Sequence, residues 1–172
     1  MTIWKSPLRI APYSIAILIA IAFAISPLAL ASSFPPKSGI VTHVFDGDTL
    51  KVKSAGKSYK VRVLGIDTPE TKGPYTRQEP FGPQASARTR ILALGKTVRL
   101  NYDSKKHKDR FGRLLAYVTL PDGRDLGGLL ISEGLAEAFH STSYGRKKIY
   151  HQLQEQARAA RRGIWSLPQK SK

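Results

Sequence analysis

The sequence contains no cysteine. That excludes disulfide bridges and thiolate metal sites, so any bound metal must use oxygen or imidazole ligands. The four histidines, His43, His107, His140 and His151, are scattered without metal-ligand spacing and read as surface or satisfied residues. Acidic residues are also scarce, 12 against 28 Lys and Arg, which gives a formal charge of +16. Such an excess favours polyanionic partners, nucleic acid first, with anionic lipid and cell-wall polymer as the others it would attract. There is no internal repeat and no local Ser/His/Asp signature. With 41% hydrophobic residues in 172, the composition suits one domain with one core.

Long apolar runs are confined to the N-terminus. Lys5 and Arg9 precede Ile15 to Ile25, with Ser26-Pro27 and the small-residue pattern Ala29-Leu30-Ala31 after them. This order predicts a secretory signal cut after Ala31, and hence a secreted or periplasmic protein. The alternative is a retained single-span anchor facing outward, since Ile15 to Ala31 approaches the lower limit of a spanning helix. Only two of the basic residues lie in this segment, so the charge excess belongs to the remainder of the chain.

Pro35 and Pro36 mark residues 32–38 as an exposed linker. Ile40 to Phe45 and Thr49 to Lys53 are strand candidates around the turn signal Asp46-Gly47, and Ser58 to Leu64 returns as a third strand. In that strand Tyr59, Val61 and Val63 alternate with Lys60, Arg62 and Leu64, so Arg62 faces away from the valines. Gly65 permits a bend. Pro69 then stiffens the turn that presents Asp67 and Glu70. Residues 71–80 read as an exposed loop. A helix starts at Pro83, with Ala87, Ile91 and Leu94 at helical spacing and a stop at Gly95. Thr97 to Tyr102 and Arg113 to Leu120 are the fourth and fifth strands. A short segment around Leu126 to Leu135 and a final stretch, Lys148 to Arg162, are helical; the latter carries Leu153, Ala157 and Ala160 on one side. The class is α+β: a five-stranded β-barrel with about three flanking helices, the OB-fold being the best-known case.

The chemistry-bearing residues cluster along this reading. Asp-Gly at a hairpin needs no ligand to explain it. However, Asp48 opens the second strand and Asp67 comes after the third, and neighbouring hairpin strands bring both to one end of the barrel. Two carboxylates about 5 Å apart repel by about 3 kcal/mol at an effective dielectric of 20, so a cation or a proton is needed. At neutral pH a hard divalent ion, calcium or magnesium, meets that need. Arg62 and Arg113 both oppose apolar strand faces, and planar guanidinium groups can clamp the two non-bridging oxygens of a phosphodiester. Glu70, beside a metal, could orient or deprotonate water for in-line attack. Lys105, Lys106, Lys108, Arg110, Arg146, Lys147 and Lys148 are solvated charge or weak phosphate contacts. Tyr75, Phe81, Phe111 and Tyr144 are candidate base-stacking or core rings.

The motifs Asp46-Gly47-Asp48-Thr49, Arg62, Asp67-Thr68-Pro69-Glu70, Phe81-Gly82-Pro83, residues 109–117, Gly134-Leu135-Ala136 and Gly163-Ile164-Trp165 occur together and in order. In this the chain resembles the staphylococcal nuclease (thermonuclease) family from about Gly39 to Trp165. The resemblance implies an OB barrel and calcium-dependent hydrolysis of DNA and RNA by a monomer with little sequence preference. It also implies one Ca²⁺ held by Asp48, Asp67 and the Thr68 carbonyl, Glu70 as the water-activating base, and Arg62 and Arg113 as phosphate clamps. Asp46 would stand behind the metal ligands, and cleavage would leave a 3′-phosphate. Where the family's best-known member has Lys-Tyr, this chain has Arg110-Phe111, which removes a tyrosine hydroxyl from the flanking phosphate. Residues 137–140 likewise lack the tyrosines which that member places near the nucleotide, so no base pocket is assigned. On this reading residues 1–31 are the leader, 32–38 the linker, 39–167 the nuclease domain and 168–172 a basic tail. A non-catalytic OB module that only binds nucleic acid is the competing reading from another class, and a surface-anchored polyanion-binding protein a third.

Overall fold

The computed structural model describes residues 34–73, 77–103 and 107–168. The leader and anchor readings, Tyr75, Lys105, Lys106 and most of the basic tail therefore lie outside the described residues. The strands are β1 (Ser38–Val44), β2 (Thr49–Ser54), β3 (Lys57–Val63), β4 (Ile66–Asp67), β5 (Thr97–Asn101), β6 (Leu114–Thr119) and β7 (Glu137–Ala138). Five of them close into a barrel in the order β1-β2-β3-β6-β5. Within it only β3 and β6 pair in parallel, in the register Val61↔Leu114, Arg62↔Leu115 and Val63↔Ala116; the other pairs are antiparallel. The period-2 alternation explains the interior: Val41, Val44, Leu50, Val52, Val61, Val63, Leu100, Leu114, Ala116 and Val118 are buried. Three helices flank the barrel: α1 (Gly82–Ala93), α2 (Leu126–Ser132) and α3 (Lys147–Ala159). This is the expected OB-type α+β architecture.

Three expectations are corrected. The segment before the barrel is not a free linker: Pro36 is buried, its carbonyl accepts the Tyr102 hydroxyl at 2.8 Å, and the Lys37 carbonyl accepts the Leu100 amide at 2.8 Å. Prolines remove the amide donors there, but the carbonyls still have to be paired. Second, α1 does not pack through Ala87, Ile91 and Leu94; Ile91 is 67% and Leu94 43% exposed, and Ala87 is exposed as well. It buries Ala85, Ser86, Thr89, Leu92 and Ala93. Small and polar residues win because this helix sits on backbone: the Thr89 hydroxyl donates to the Gly47 carbonyl at 2.7 Å and Arg90 donates to the Val44 carbonyl at 3.0 Å. Third, α3 buries Tyr150, Gln154 and Ala157 while Ala160 is exposed.

Two of the histidines also depart from expectation. His107 Nδ1 and His151 Nε2 are buried without a hydrogen-bond partner among the described residues. Their rings pack instead, His107 on Tyr102 at 5.1 Å and His151 beside His140 at 4.5 Å. Burial, then His140 and Lys147, hold the His151 imidazole below its usual pKa.

α2 and α3 are joined by Asp125. It caps α2 by accepting the Gly128 amide at 3.1 Å, accepts the hydroxyl of buried Tyr150 at 2.7 Å, and pairs with Arg146 at 2.7 Å. Burial, then the Asp125 charge, push the Tyr150 phenol well above its ordinary pKa, so it stays a donor. Replacing Asp125 by Ala removes the cap and strips the hydroxyl of its acceptor. The expected loss is about 2–4 kcal/mol, read as a lower urea midpoint with an unchanged slope, whereas Tyr150→Phe should lose less.

Candidate active site

The site lies on the outer surface of the barrel, at the end of β2 and β3. The loop from β1 to β2 is shaped by Asp46, whose Oδ1 accepts the amides of Asp48 at 3.1 Å and Thr49 at 2.6 Å. Gly47 serves a purpose other than the expected tight turn. Its φ is not positive, but a Cβ there would sit 2.7 Å from Thr68 Cγ2 and 2.9 Å from Ala85 Cβ. Only glycine lets the loop lie this close to α1 and to the segment carrying Thr68.

Asp48 is 1% exposed, and both its oxygens are engaged. Oδ1 accepts the Thr49 hydroxyl at 3.0 Å and pairs with Arg62 Nη1; Oδ2 accepts the Thr68 amide at 2.9 Å and its hydroxyl at 3.0 Å. Arg62 also donates from Nη2 to Asp67 Oδ1 at 2.6 Å and to the Ile66 carbonyl at 3.2 Å. One guanidinium therefore holds the two carboxylates that the hairpin brings together.

Asp67 is placed by a feature that leaves no pattern in the sequence. Gly65 turns the chain at φ +84°, and β4 pairs with β7 in a two-stranded antiparallel ribbon. The Ala138 amide is in turn bonded to Gln154 Oε1 of α3 at 2.7 Å. A two-residue strand has no period to detect, and a buried glutamine on a helix gives no local sign of its acceptor's use.

Glu70, three residues beyond Asp67, is exposed. Its amide donates to Glu79 Oε2 at 3.0 Å and its carbonyl accepts the Glu79 amide at 2.9 Å, so Glu79 fixes the backbone of Glu70 across the intervening loop. Partial burial, then the nearby Asp46 charge, raise the Glu70 pKa, against the lowering effect of Arg62; Asp67 and Glu79 add to the rise. A carboxyl tuned upward in this way is a better proton acceptor.

Arg113 immediately precedes β6 rather than opening it. Asp109 holds it in place: Oδ2 accepts Arg113 Nε at 2.7 Å, while Oδ1 accepts the Arg113 amide at 3.0 Å and the Phe111 amide at 2.9 Å. Burial pushes the Asp109 carboxyl up, but these bonds from Arg113 and Phe111 outweigh it and leave the pKa below the usual range. Arg62 and Arg113 line one cavity of about 280 Å³ together with Gly65, Asp109, Phe139 and Thr142. The hydrogen-bonded web thus gathers Asp48, Arg62, Asp67 and Thr68; Glu70 joins through its charge interactions, and Arg113 through the shared cavity.

The remaining candidates separate. Arg146 pairs with Asp125 and lies 4.2 Å from the Tyr117 ring, and Lys147 donates to the His140 carbonyl at 2.7 Å. These two serve the fold rather than stand as free phosphate contacts. Tyr144 is buried against Gly65, and Phe81 is half-buried at the left-handed residue before α1. Phe111 is 69% exposed, beside Arg110 and Arg113.

A metal ion fits the donor set in one respect: two oxygen-bearing carboxylates, one of them buried, already converge on a single positive group. Among the described residues no cluster of three or more His, Asp or Glu side chains forms a ready-made metal cage. Any ion here would rely on Asp48, Asp67, main-chain oxygen and water, a donor set typical of hard cations.

Residues 60–167 match the family model described as staphylococcal nuclease homologue. The thermonuclease of Staphylococcus hyicus is 43% identical over 128 residues, 73% of this chain and 74% of that protein. The thermonuclease of Staphylococcus intermedius is 38% identical over 130 residues, covering 75% and 76%. Endonuclease YncB of Bacillus subtilis is 38% identical over 123 residues, 70% of this chain and 58% of the relative. With the barrel, the paired carboxylates and the two arginines in place, this chain belongs to the staphylococcal nuclease family.

Proposed function

We propose that this chain, a nuclease of that family, hydrolyses phosphodiester bonds of both DNA and RNA in a calcium-dependent reaction with little sequence preference. The observation that carries the reading is the convergence of Asp48 and Asp67 on the Arg62 guanidinium, with Arg113 on the wall of the same cavity. Asp48, Asp67 and the Thr68 carbonyl would hold the ion. When bound, it would supply positive charge against the phosphate and make water easier to deprotonate.

The chain's own residues account for the rest. If Asp48 and Asp67 held the ion, Arg62 would be freed for the phosphate, where it and Arg113 would bind the non-bridging oxygens. Their hold strengthens as charge grows on the pentacoordinate phosphorus, so the contribution appears in the transition state. Glu70 takes a proton from water as the new O–P bond forms in line. The bond from phosphorus to the 5′-oxygen breaks, that oxygen takes a proton from solvent and leaves as a hydroxyl, and a 3′-phosphate remains. Asp109 and Glu79 act through Arg113 and Glu70, by holding the first in place and fixing the backbone of the second. The N-terminal segment supports export with cleavage after Ala31, a retained anchor being the alternative, and the protein acts as a monomer.

Purified protein incubated with plasmid DNA and with RNA should degrade both with calcium and neither with chelator; no calcium-dependent loss of either sinks the reading. Glu70→Gln should lower kcat about 10²–10⁴-fold while the affinity for an oligonucleotide, measured by fluorescence anisotropy, changes little. An equal loss of binding contradicts its role as base. Asp48→Asn should raise the calcium concentration needed for half-maximal rate, and excess calcium should restore part of the activity. A loss that calcium leaves untouched removes Asp48 from the ion's ligands.

A further inference from the structure

The same outer face carries a row of basic side chains that the chemistry above does not use. In the registers of β1, β2 and β3, His43 lies opposite Lys51 and Lys51 opposite Lys60; the next rung toward the site is Thr49 opposite Arg62. His43, Lys51 and Lys60 are all exposed. The row exists because of a bulge: the register shifts between Val41 and His43, so Thr42 and His43 both face outward while Val41 and Val44 stay in the core. Half-buried Phe45 lies among the three side chains, with the His43 ring at 4.6 Å, Lys60 Nζ at 4.5 Å and Lys51 Nζ at 5.8 Å from its centre.

Like charges directly opposite one another on a sheet are destabilising. Among the described residues none of His43, Lys51, Lys53, Lys57 and Lys60 has a carboxylate in an ion pair, whereas Arg62, Arg88, Arg113, Arg124, Arg146 and Arg158 each do. The charge of this row is therefore not cancelled by ion pairs, and Phe45 holds two ammonium groups without neutralising them. Lysines already held over a ring lose less freedom when they bind a phosphate.

We infer that His43, Lys51 and Lys60 form a track for the phosphate backbone of the nucleic acid strand leading to or from the bond being cut. The identity of the occupant rests on the nuclease reading. Its direction comes from continuity: Lys60 and Arg62 are alternate residues on one face of β3, so the row begins at the proposed phosphate clamp. Two residues along a strand and two strand spacings across it amount to about 12 Å, the axial rise of about three nucleotides of one strand. A single file of donors of that length fits a backbone lying diagonally over the hairpin.

The test uses the whole protein, with Lys51→Gln/Lys60→Gln compared with a control pair of equal charge loss, Arg99→Gln/Arg161→Gln. Binding of a fluorescein-labelled single strand of about 20 nucleotides, longer than the ~4–16 one OB fold covers, is measured by anisotropy in chelator across a salt series. Losing two phosphate contacts should weaken binding and reduce the slope of log K against log[salt] by about 1.4, with the control pair near wild type. With calcium, the loss of kcat/KM should grow with substrate length. A wild-type slope and affinity for the lysine variant, or an equal loss in the control, overturns the track. So does a variant that keeps strand binding but no longer binds phosphatidylserine vesicles, which would assign the face to a membrane. A wild-type protein that binds but never cleaves defeats the nuclease reading alone, because the chelator arm still decides the track. Both lysines are exposed, and matching thermal midpoints verify folding; Lys60→Gln alone, with half the slope change, serves if the double variant is destabilised.

Discussion

A buried carboxylate, Asp48, is the constraint around which this surface is built. Removing an ionised group from water is costly unless donors replace the solvent, and the fold supplies them from three places. Thr49 is the next residue, opening β2, Thr68 comes from the segment after β4, and Arg62 from the far strand of the β2–β3 hairpin. Meeting the needs of one side chain thus fixes the relative positions of two loops and a strand. Catalytic geometry and electrostatic satisfaction are here the same arrangement, and each donor of Asp48 is also part of, or adjacent to, the proposed chemistry.

The barrel and the site divide the work along the two faces of the same strands. Val61 and Val63 point into the core while Lys60 and Arg62 point out, so the apolar packing that makes β3 rigid also fixes the direction of the guanidinium. On the flanks, α1 braces the carboxylate loops through Thr89 and Arg90, and Asp109 anchors Arg113 on its own short turn. The positioning residues are therefore mainly polar and local, standing on an apolar interior that is indifferent to function.

These physical differences decide how much is legible in the sequence. Alternation reveals the five barrel strands and the outward direction of Arg62, and hairpin order is enough to bring Asp48 near Asp67. The family resemblance implies roles for Thr68 and Arg113. Hidden from such a reading are features with no period and no local signature: the β4–β7 ribbon, the grip of Asp109 on Arg113 and of Glu79 on Glu70, and the bonding of Pro36 and Lys37 to the barrel. Apolar spacing points to the wrong face of α1, because that helix rests on main-chain carbonyls that small and hydroxylated residues can reach. Asp-Gly suggests a turn at Gly47, although steric proximity to Thr68 and Ala85 is what requires the glycine.

The ribbon carrying Asp67 has a consequence for when the site exists at all. Its second strand is bonded through the Ala138 amide to Gln154, on the last α-helix. Asp48, Arg62, Asp67 and Glu70 are all made earlier in synthesis, but the framework that aligns Asp67 is completed only by that helix. A growing or truncated chain would carry each of these side chains and still lack their arrangement, so the proposed site is complete only once α3 has been made.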